Sequence, residues 1–340
     1  MRPLDLSSWR FCIAPMMQYT DRHYRFLARL LSRRARLYTE MVVASAILRG
    51  DPQRFLRHDS QEHPVALQLG GCEPAELAAA ARMGEQAGFD EINLNVGCPS
   101  SRVQAGRFGA CLMAEPTLVA ECVAAMREQV QIPVTVKTRL GVDALDSQAH
   151  LETLVSAIVD AGCDVLILHA RKALLNFSTR ANREIPPLQY PRVYALKRAF
   201  PNLPVVINGG ITSLAACAAH LAEVDGVMLG RAAYAQLELL KAVDASLFSD
   251  EADGDLDGGG ILRALEPYVS SELERGEALR HISRHWLGLH QGQAGARAWR
   301  KLIGTHSVRR GLSATEAVAE AAAFLDGVAS SLPRSRFAEA

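Results

Sequence analysis

Apolar residues in the first part of the chain come in short unbroken runs. Each run ends in a polar or glycine-containing turn, and a stretch with helical spacing follows. The runs are FCIAPM, LYTEM, VALQLGG, EINLNVG, VTVKTRLG, DVLILHAR, VVINGG and DGVMLGR, eight candidate strands in all. Runs of this kind fit strands buried on both faces. Between them, residues 20–33, 74–87, 116–130, 147–161, 191–200, 213–222 and 232–247 carry apolar positions at helical spacing, and Gly88 is a stop signal for the second of these. Helical spacing is least pronounced in the second crossover, around 43–55. Strands alternating with helices predict a parallel sheet covered on both faces. Eight such units within the first 240 or so residues predict an α/β fold of the (β/α)8 TIM-barrel type. A doubly wound sheet is the alternative, but no G-x-G-x-x-G follows the first strand.

The pattern then changes. Residues 249–260 read SDEADGDLDGGG, with five acidic residues, no basic ones and a glycine run, as a linker would. Helical spacing resumes at Ile261, and the charge changes sign. Between His281 and Leu312 there is no Asp or Glu, while Arg284, Arg297, Arg300, Lys301, Arg309 and Arg310 all lie there. A basic run is often only a solvated helix face. The expected organisation is a catalytic barrel over 1–248, a linker over 249–260, a helical domain with a basic face over 261–332 and a disordered tail over 333–340.

Composition adds mainly exclusions. The chain has 340 residues, 49% hydrophobic and 22% charged, which is ordinary for a soluble globular protein. A formal net charge of +0 points to neither a nucleic acid nor a membrane, so local charge has to be read instead. Seven cysteines, an odd number with no C-x-x-C, argue against a disulfide framework, a zinc site and an iron–sulfur cluster. Reduced thiols fit a cytoplasmic protein. Neither a secretory leader nor an apolar run long enough for a membrane span is expected.

Candidate chemistry sits at the strand ends, where barrels of this kind carry function. The polar residues there are Gln68, Asn93, Asn95, Cys98, Lys137, Arg139, His169, Asn208 and Arg231. Lys137 lies in an otherwise apolar strand. It is an ion-paired or snorkelling lysine, a Schiff-base nucleophile, or a cation facing an electron-rich cofactor ring. Asn208–Gly209–Gly210 follows the seventh strand and Gly230–Arg231 the eighth. Barrels often bind phosphate at these two loops, and arginine adds a bidentate partner. His169 is either structural or a contact to such a ligand. Gln68 either caps a neighbouring strand or meets an isoalloxazine edge, since a carboxamide donates and accepts together. Cys98, held between Gly97 and Pro99, is either a turn cysteine or a general acid or nucleophile.

Together these residues resemble the tRNA-dihydrouridine synthase family. The matching segments are APMMQYTDRHYR (14–25), LYTEM (37–41), ALQLGG (66–71), INLNVGCPS (92–100), VKTRLG (136–141), LHAR (168–171), INGGI (207–211) and MLGRAAY (228–234), in order across the whole barrel. Residues 170–201 and the basic segment GARAWRKLIG are similar to bacterial subfamily A, which acts on D-loop uridines 20 and 20a. The resemblance implies FMN as cofactor, NADPH as electron donor and tRNA as partner, recognised in the D-loop and elbow by a monomeric enzyme. It places Pro15, Met16 and Met17 against the flavin, and Gln68 and Lys137 at the ring edge. His169, Asn208, Gly209, Gly210, Gly230 and Arg231 would lie at the phosphate. It makes Cys98 the proton donor to uracil C5, with hydride passing from FMN N5 to C6. It assigns Asn95, Arg139, Arg183, Pro186, Arg297 and Arg300 to the RNA, the base leaving its stack to react. Rival readings are an FMN barrel acting on a small molecule, a Schiff-base aldolase using Lys137, and a non-catalytic RNA-binding barrel. The first leaves the acid-free segment 281–312 unexplained.

Overall fold

The computed structural model describes residues 4–248, 256–309 and 311–331. The chain divides into two compact units. One is formed by residues up to Arg25 together with Arg34–Ala232, the other by Phe26–Arg33 together with the chain from Ala233 onward.

In the first unit all eight expected runs are strands, with one short strand more. β1 (Phe11–Ile13), β2 (Leu37–Tyr38), β3 (Val42–Val43), β4 (Val65–Gly70), β5 (Glu91–Asn95), β6 (Val134–Arg139), β7 (Val165–His169), β8 (Val205–Asn208) and β9 (Gly226–Leu229) form one sheet. Its order is β2-β4-β5-β6-β7-β8-β9-β1, with β3 also on β4, and every pairing is parallel. Arg36 closes the ring. Its N–H donates to the Phe11 carbonyl at 3.0 Å, and its carbonyl accepts from the Ile13 N–H at 2.9 Å. The result is a (β/α)8 barrel. Two helical segments are more broken than their spacing predicts. The 43–55 crossover is two short helices, Ala44–Arg49 and Pro52–Leu56. Gly50 ends the first, where a Cβ would come within 2.6 Å of the Ala46 carbonyl, and Asp51 caps the second. The 232–247 segment is three helices, Arg231–Ala235, Leu237–Lys241 and Val243–Phe248.

Three aspartates at the N-terminal rim repeat one device. Each lies just before a strand and locks the first residue of the neighbouring strand from both sides. Asp90 Oδ2 accepts from Val65 N–H at 2.6 Å, while its own N–H donates to the Val65 carbonyl at 2.9 Å. Asp164 does the same to Val134, both at 2.8 Å, and Asp225 to Val205, at 2.8 and 3.0 Å. Each carboxylate also meets a basic group, His63 at 2.7 Å, Arg127 at 3.6 Å and Lys197 at 2.8 Å respectively. Inside the barrel, inward positions of successive strands (Cys12, Tyr38, Ala66, Val165, Ile167, Val206 and Met228) form one buried cluster with Trp9.

The second unit is helical, with Gly258–Glu274, Leu279–Ser283, Ala296–Val308 and Ala314–Ser331 as its main segments. Its core includes Trp286 and Trp299, whose indole N–H donates to the Trp286 carbonyl at 3.2 Å. Phe26 stacks on Tyr268 at 4.0 Å. The glycine run expected in the linker is instead the first turn of the Gly258–Glu274 helix. The Asp257 side chain caps it by accepting from Gly260 N–H at 2.6 Å. Gly259 lies against the Asp326 carboxylate, which a Cβ there would displace. Residues 249–255 of the expected linker and the expected tail at 333–340 lie outside the described residues. Among the described residues no helix is long and apolar enough to cross a membrane.

Candidate active site at the barrel mouth

The turn after β5 carries the thiol. Asn95 Oδ1 accepts from the N–H groups of Gly97 at 3.1 Å and Cys98 at 2.9 Å, and the Cys98 carbonyl accepts from Ala110 N–H at 2.9 Å. Gly109 has φ +75°, and a Cβ on it would reach 2.6 Å from the Cys98 carbonyl, so only glycine lets the chain pass here. Ser100 then caps the helix Ser101–Ala105. Cys98 is half-buried. The thiols of Cys122, Cys163 and Cys217 are pushed up by burial, to about 12, 12 and 11, which makes them inert packing.

β6 brings Lys137 to the centre. Its Nζ donates to Asn208 Oδ1 at 3.2 Å, and Asn208 Nδ2 donates to the Met228 carbonyl at 2.7 Å. Desolvation, then the Arg139 guanidinium, bring the Lys137 ammonium down to about 7, against an opposing pull from Cys98. Desolvation also holds His169 well below its usual value, reinforced by Arg139, Lys137, Arg171 and Arg183. Its imidazole is therefore neutral at neutral pH.

The loops after β8 and β9 keep main-chain donors free. Gly209 (φ +113°) and Gly210 (φ +71°) adopt left-handed backbone against His169, Leu188 and Tyr190. The Tyr190 hydroxyl donates to the Gly209 carbonyl at 2.7 Å. Among the described residues the N–H groups of Gly209, Gly210 and Gly230 donate to no backbone or side-chain acceptor. Gly230 lies beside Met16, whose Sδ is 3.4 Å from where a Cβ would be. Pro15 is half-buried, and Met17 is 56% exposed. Arg231 is exposed.

Some expected side chains are committed to the protein itself. Gln68 is buried, with Nε2 donating to Asn93 at 2.7 Å and Oε1 accepting from Asn95 at 2.9 Å. Arg139, also buried, holds the Gly97, Lys172 and Asn182 carbonyls at 3.0, 3.1 and 3.3 Å, clamping the thiol turn to the loop after β7. Pro186 is buried, and its carbonyl accepts from Arg171. Arg183 is half-buried, and its Nε is buried without a hydrogen-bond partner among the described residues. Asn182 organises the loop after β7. It accepts from Leu174 N–H and donates to the Leu174 carbonyl, both at 2.7 Å. In the second unit Arg297, Arg300 and Lys301 are exposed on the helix Ala296–Val308, and none has an ion pair among the described residues.

The electrostatic result is a cluster of cations. Beside desolvation, Arg139 lowers the proton affinity of Lys137, Arg171 and Arg183 lower that of Arg139, and Arg231 lowers that of Arg171 and Arg183; among the described residues none of the five is ion-paired to a carboxylate. A cavity of about 890 Å³ also opens at the opposite, N-terminal end, lined by Trp9, Arg36, Arg127 and Asp164 among others. Both arginines there are ion-paired, to Glu91 and Asp164, so the mouth is the better candidate. Glu91, Asn93, Thr135, Arg171 and Asn182 had no role assigned from the sequence. The polar alternation Glu91–Asn93–Asn95 along one strand was the signal for the first two.

Fold and site define a class: a (β/α)8 barrel whose C-terminal mouth sets free main-chain N–H groups and a cluster of basic side chains beside a fixed thiol turn. The chain matches the family model described as dihydrouridine synthase (Dus) over residues 12–324, and it belongs to that family. It is 53% identical to the tRNA-dihydrouridine(20/20a) synthase of Salmonella typhi over 311 residues, 91% of this chain and 93% of that one. It is 54% identical to that of Pseudomonas putida over 297 residues, 87% of this chain and 88% of that one. Among solved structures, a 2-naphthoyl-CoA reductase in complex with 2-naphthoyl-CoA superimposes with a TM-score of 0.54 at 11% identity, covering 71% of this chain. This chain spans 51% of that protein's length, and the likeness concerns the fold alone.

Proposed function

We propose that this protein reduces the C5–C6 double bond of uridines 20 and 20a in the D-loop of tRNA, with FMN as bound cofactor and NADPH as electron source. The observation that carries the reading is the cluster of cations without carboxylate partners beside the Cys98 turn, in a barrel of the dihydrouridine synthase family. Such a cluster fits polyanions, here a flavin phosphate and an RNA backbone. The free N–H groups of Gly209, Gly210 and Gly230, with Arg231, suit the phosphate. His169 and Asn208 line the same cradle, Lys137 suits the ring edge, where Gln68 has only its second N–H and second oxygen lone pair to offer, and Pro15, Met16 and Met17 suit its face. When bound, FMN supplies to uracil C6 the hydride it takes from NADPH.

The remaining chemistry belongs to the chain. Cys98 gives the proton to C5 from the opposite side. Asn95 has spent both oxygen lone pairs on the turn and one N–H on Gln68, so it can offer a base only its second N–H. Lys137 places a cation where negative charge collects during reduction. Arg183 has a buried N–H to give, and Arg297 and Arg300 present charge to phosphates. Arg139 and Pro186 contribute by shaping the mouth, since Arg139 Nε and Nη1 and the Pro186 carbonyl are occupied.

The test is to release the cofactor by heat, identify it, and map dihydrouridine by mass spectrometry in unmodified tRNA treated with the protein and NADPH. FMN and dihydrouridine at positions 20 and 20a are expected. A colourless protein that binds no added FMN would favour a Schiff-base role for Lys137. FMN without dihydrouridine would favour a small-molecule substrate.

A further inference from the structure

We propose that Glu91, Thr135 and Asn93 are positioning residues for the Cys98 turn. They form a one-way chain of hydrogen bonds through the barrel that fixes which way the Gln68 and Asn95 carboxamides face. The proposal rests on the uridine-reducing reading above.

Glu91, Asn93 and Asn95 alternate along β5, so all three point into the barrel, and all are buried. From the mouth inward, Asn95 Nδ2 donates to Gln68 Oε1 at 2.9 Å, and Gln68 Nε2 donates to Asn93 Oδ1 at 2.7 Å. Asn93 Nδ2 then donates to Thr135 Oγ1 at 2.7 Å, and the Thr135 hydroxyl donates to Glu91. Every donor faces the same way.

A carboxamide has two ends of nearly equal size and opposite role, so shape alone does not orient it. Here both ends of the chain do. At the mouth, two backbone N–H groups require an acceptor, and only Asn95 Oδ1 can serve. At the base, Arg36 at 3.1 Å, the Trp9 indole at 2.9 Å and the Tyr38 hydroxyl at 2.9 Å converge on Glu91. Burial pushes the Glu91 carboxyl up, but the Arg36 cation and the Trp9 and Tyr38 donors favour the ionised form, which only accepts, so Thr135 donates to it and accepts from Asn93. The two ends are set independently and demand the same sense. Thr135 is the link between them, and it touches neither the cradle nor the thiol.

Thr135→Val removes the hydroxyl at nearly constant shape, and Thr135→Ser keeps it. The valine variant should lose roughly three- to tenfold in kcat for uridine reduction, one net hydrogen bond's worth, with KM for tRNA little changed. The serine variant should recover most of it. Thr135→Ala replaces the valine variant if that one does not fold. Iodoacetamide labelling of Cys98, followed by peptide mass spectrometry, reports the turn directly. Its rate should change in the valine variant and return in the serine one. Wild-type kcat and labelling in Thr135→Val, or equal losses in the valine and serine variants, would overturn the proposal. If wild-type protein makes no dihydrouridine, the functional reading falls, while the labelling series still decides whether the chain of bonds sets the turn.

Discussion

The two ends of the barrel treat charge in opposite ways. At the N-terminal end Asp90, Asp164 and Asp225 each lock a neighbouring strand and meet a basic group, and Glu91 is enclosed by Arg36, Trp9, Tyr38 and Thr135. At the C-terminal end Lys137, Arg139, Arg171, Arg183 and Arg231 crowd together with no carboxylate partner among the described residues. Desolvated like charges are costly, and a structure keeps them where something outside the chain compensates. The first arrangement is complete in itself, so changes there should reach stability. The second has no compensating charge of its own among the described residues, so changes there should reach binding and turnover while leaving the fold intact.

The largest test of that contrast is Cys98→Ala. A general acid contributes about 10²- to 10⁴-fold, so uridine reduction should fall by that order. Flavin reduction by NADPH, measured at the same time, and the melting temperature should stay near wild type. Equal loss of both half-reactions would make Cys98 structural. At the other end, Arg36→Met leaves the Glu91 carboxylate buried without its cation, and breaking such a pair costs about 3–5 kcal/mol. Denaturant unfolding should show that loss. A variant as stable as wild type would mean that the lower network is not what secures the barrel.

A smaller effect separates the ends by pH. The Lys137 ammonium titrates at about 7 in the folded chain, against an ordinary value of 10.5. Between those values the unfolded chain holds a proton that the folded chain has released. Stability of the FMN-free protein therefore rises with pH from about 7 to about 10.5 through this group, and burying the ammonium is most costly below pH 7. The slope is at most about 1.4 kcal/mol per pH unit, and less where water reaches the amine. Lys137→Met should remove this rise and be most stabilising at low pH. Denaturation midpoints at pH 6, 8 and 10 that shift in parallel for both proteins would show that Lys137 keeps its proton.

How much of this was legible beforehand follows from the range of each interaction. The eight strands were visible because a buried parallel strand writes itself as a local apolar run. Cys98, Lys137, His169 and Asn208 could be placed at one mouth because barrel strands all end on the same side. The partners of Gln68 and Arg139 were not visible. Asn93 is 25 residues from Gln68, and Gly97 is 42 from Arg139, so nothing local shows that these polar groups are already engaged. The glycine run at 258–260 misled for a related reason. Its composition is that of a loop, but the folded chain sets it beside Leu325 and Asp326, far along the sequence, as the first turn of a helix. The missing counter-charges at the mouth are likewise a property of the folded chain alone.

The smallest expected effect concerns the helical unit, where the same question can be asked of exposed charge. Arg297 and Arg300 are exposed, three residues apart and hence on one face of the Ala296–Val308 helix. Neither has an ion pair among the described residues, whereas nearby Arg309 donates to Glu320 at 2.7 Å. Arginines left free on a helix surface are either solvated or reserved for phosphate, and salt distinguishes the two. Each phosphate contact contributes about 0.7–0.9 to the slope of log affinity against log salt. Replacing both arginines with alanine should therefore lower the magnitude of that slope by roughly 1.4–1.8 and weaken tRNA binding most at low salt. NADPH oxidation without tRNA should be unchanged, since neither residue belongs to the mouth. Arg309→Ala, which removes a residue already paired, should barely move the slope. Binding measured across a salt series for wild type, the double variant and Arg309→Ala decides the matter. If the double variant keeps the wild-type slope, these arginines are solvent-facing charge and the RNA is held by the barrel mouth without them.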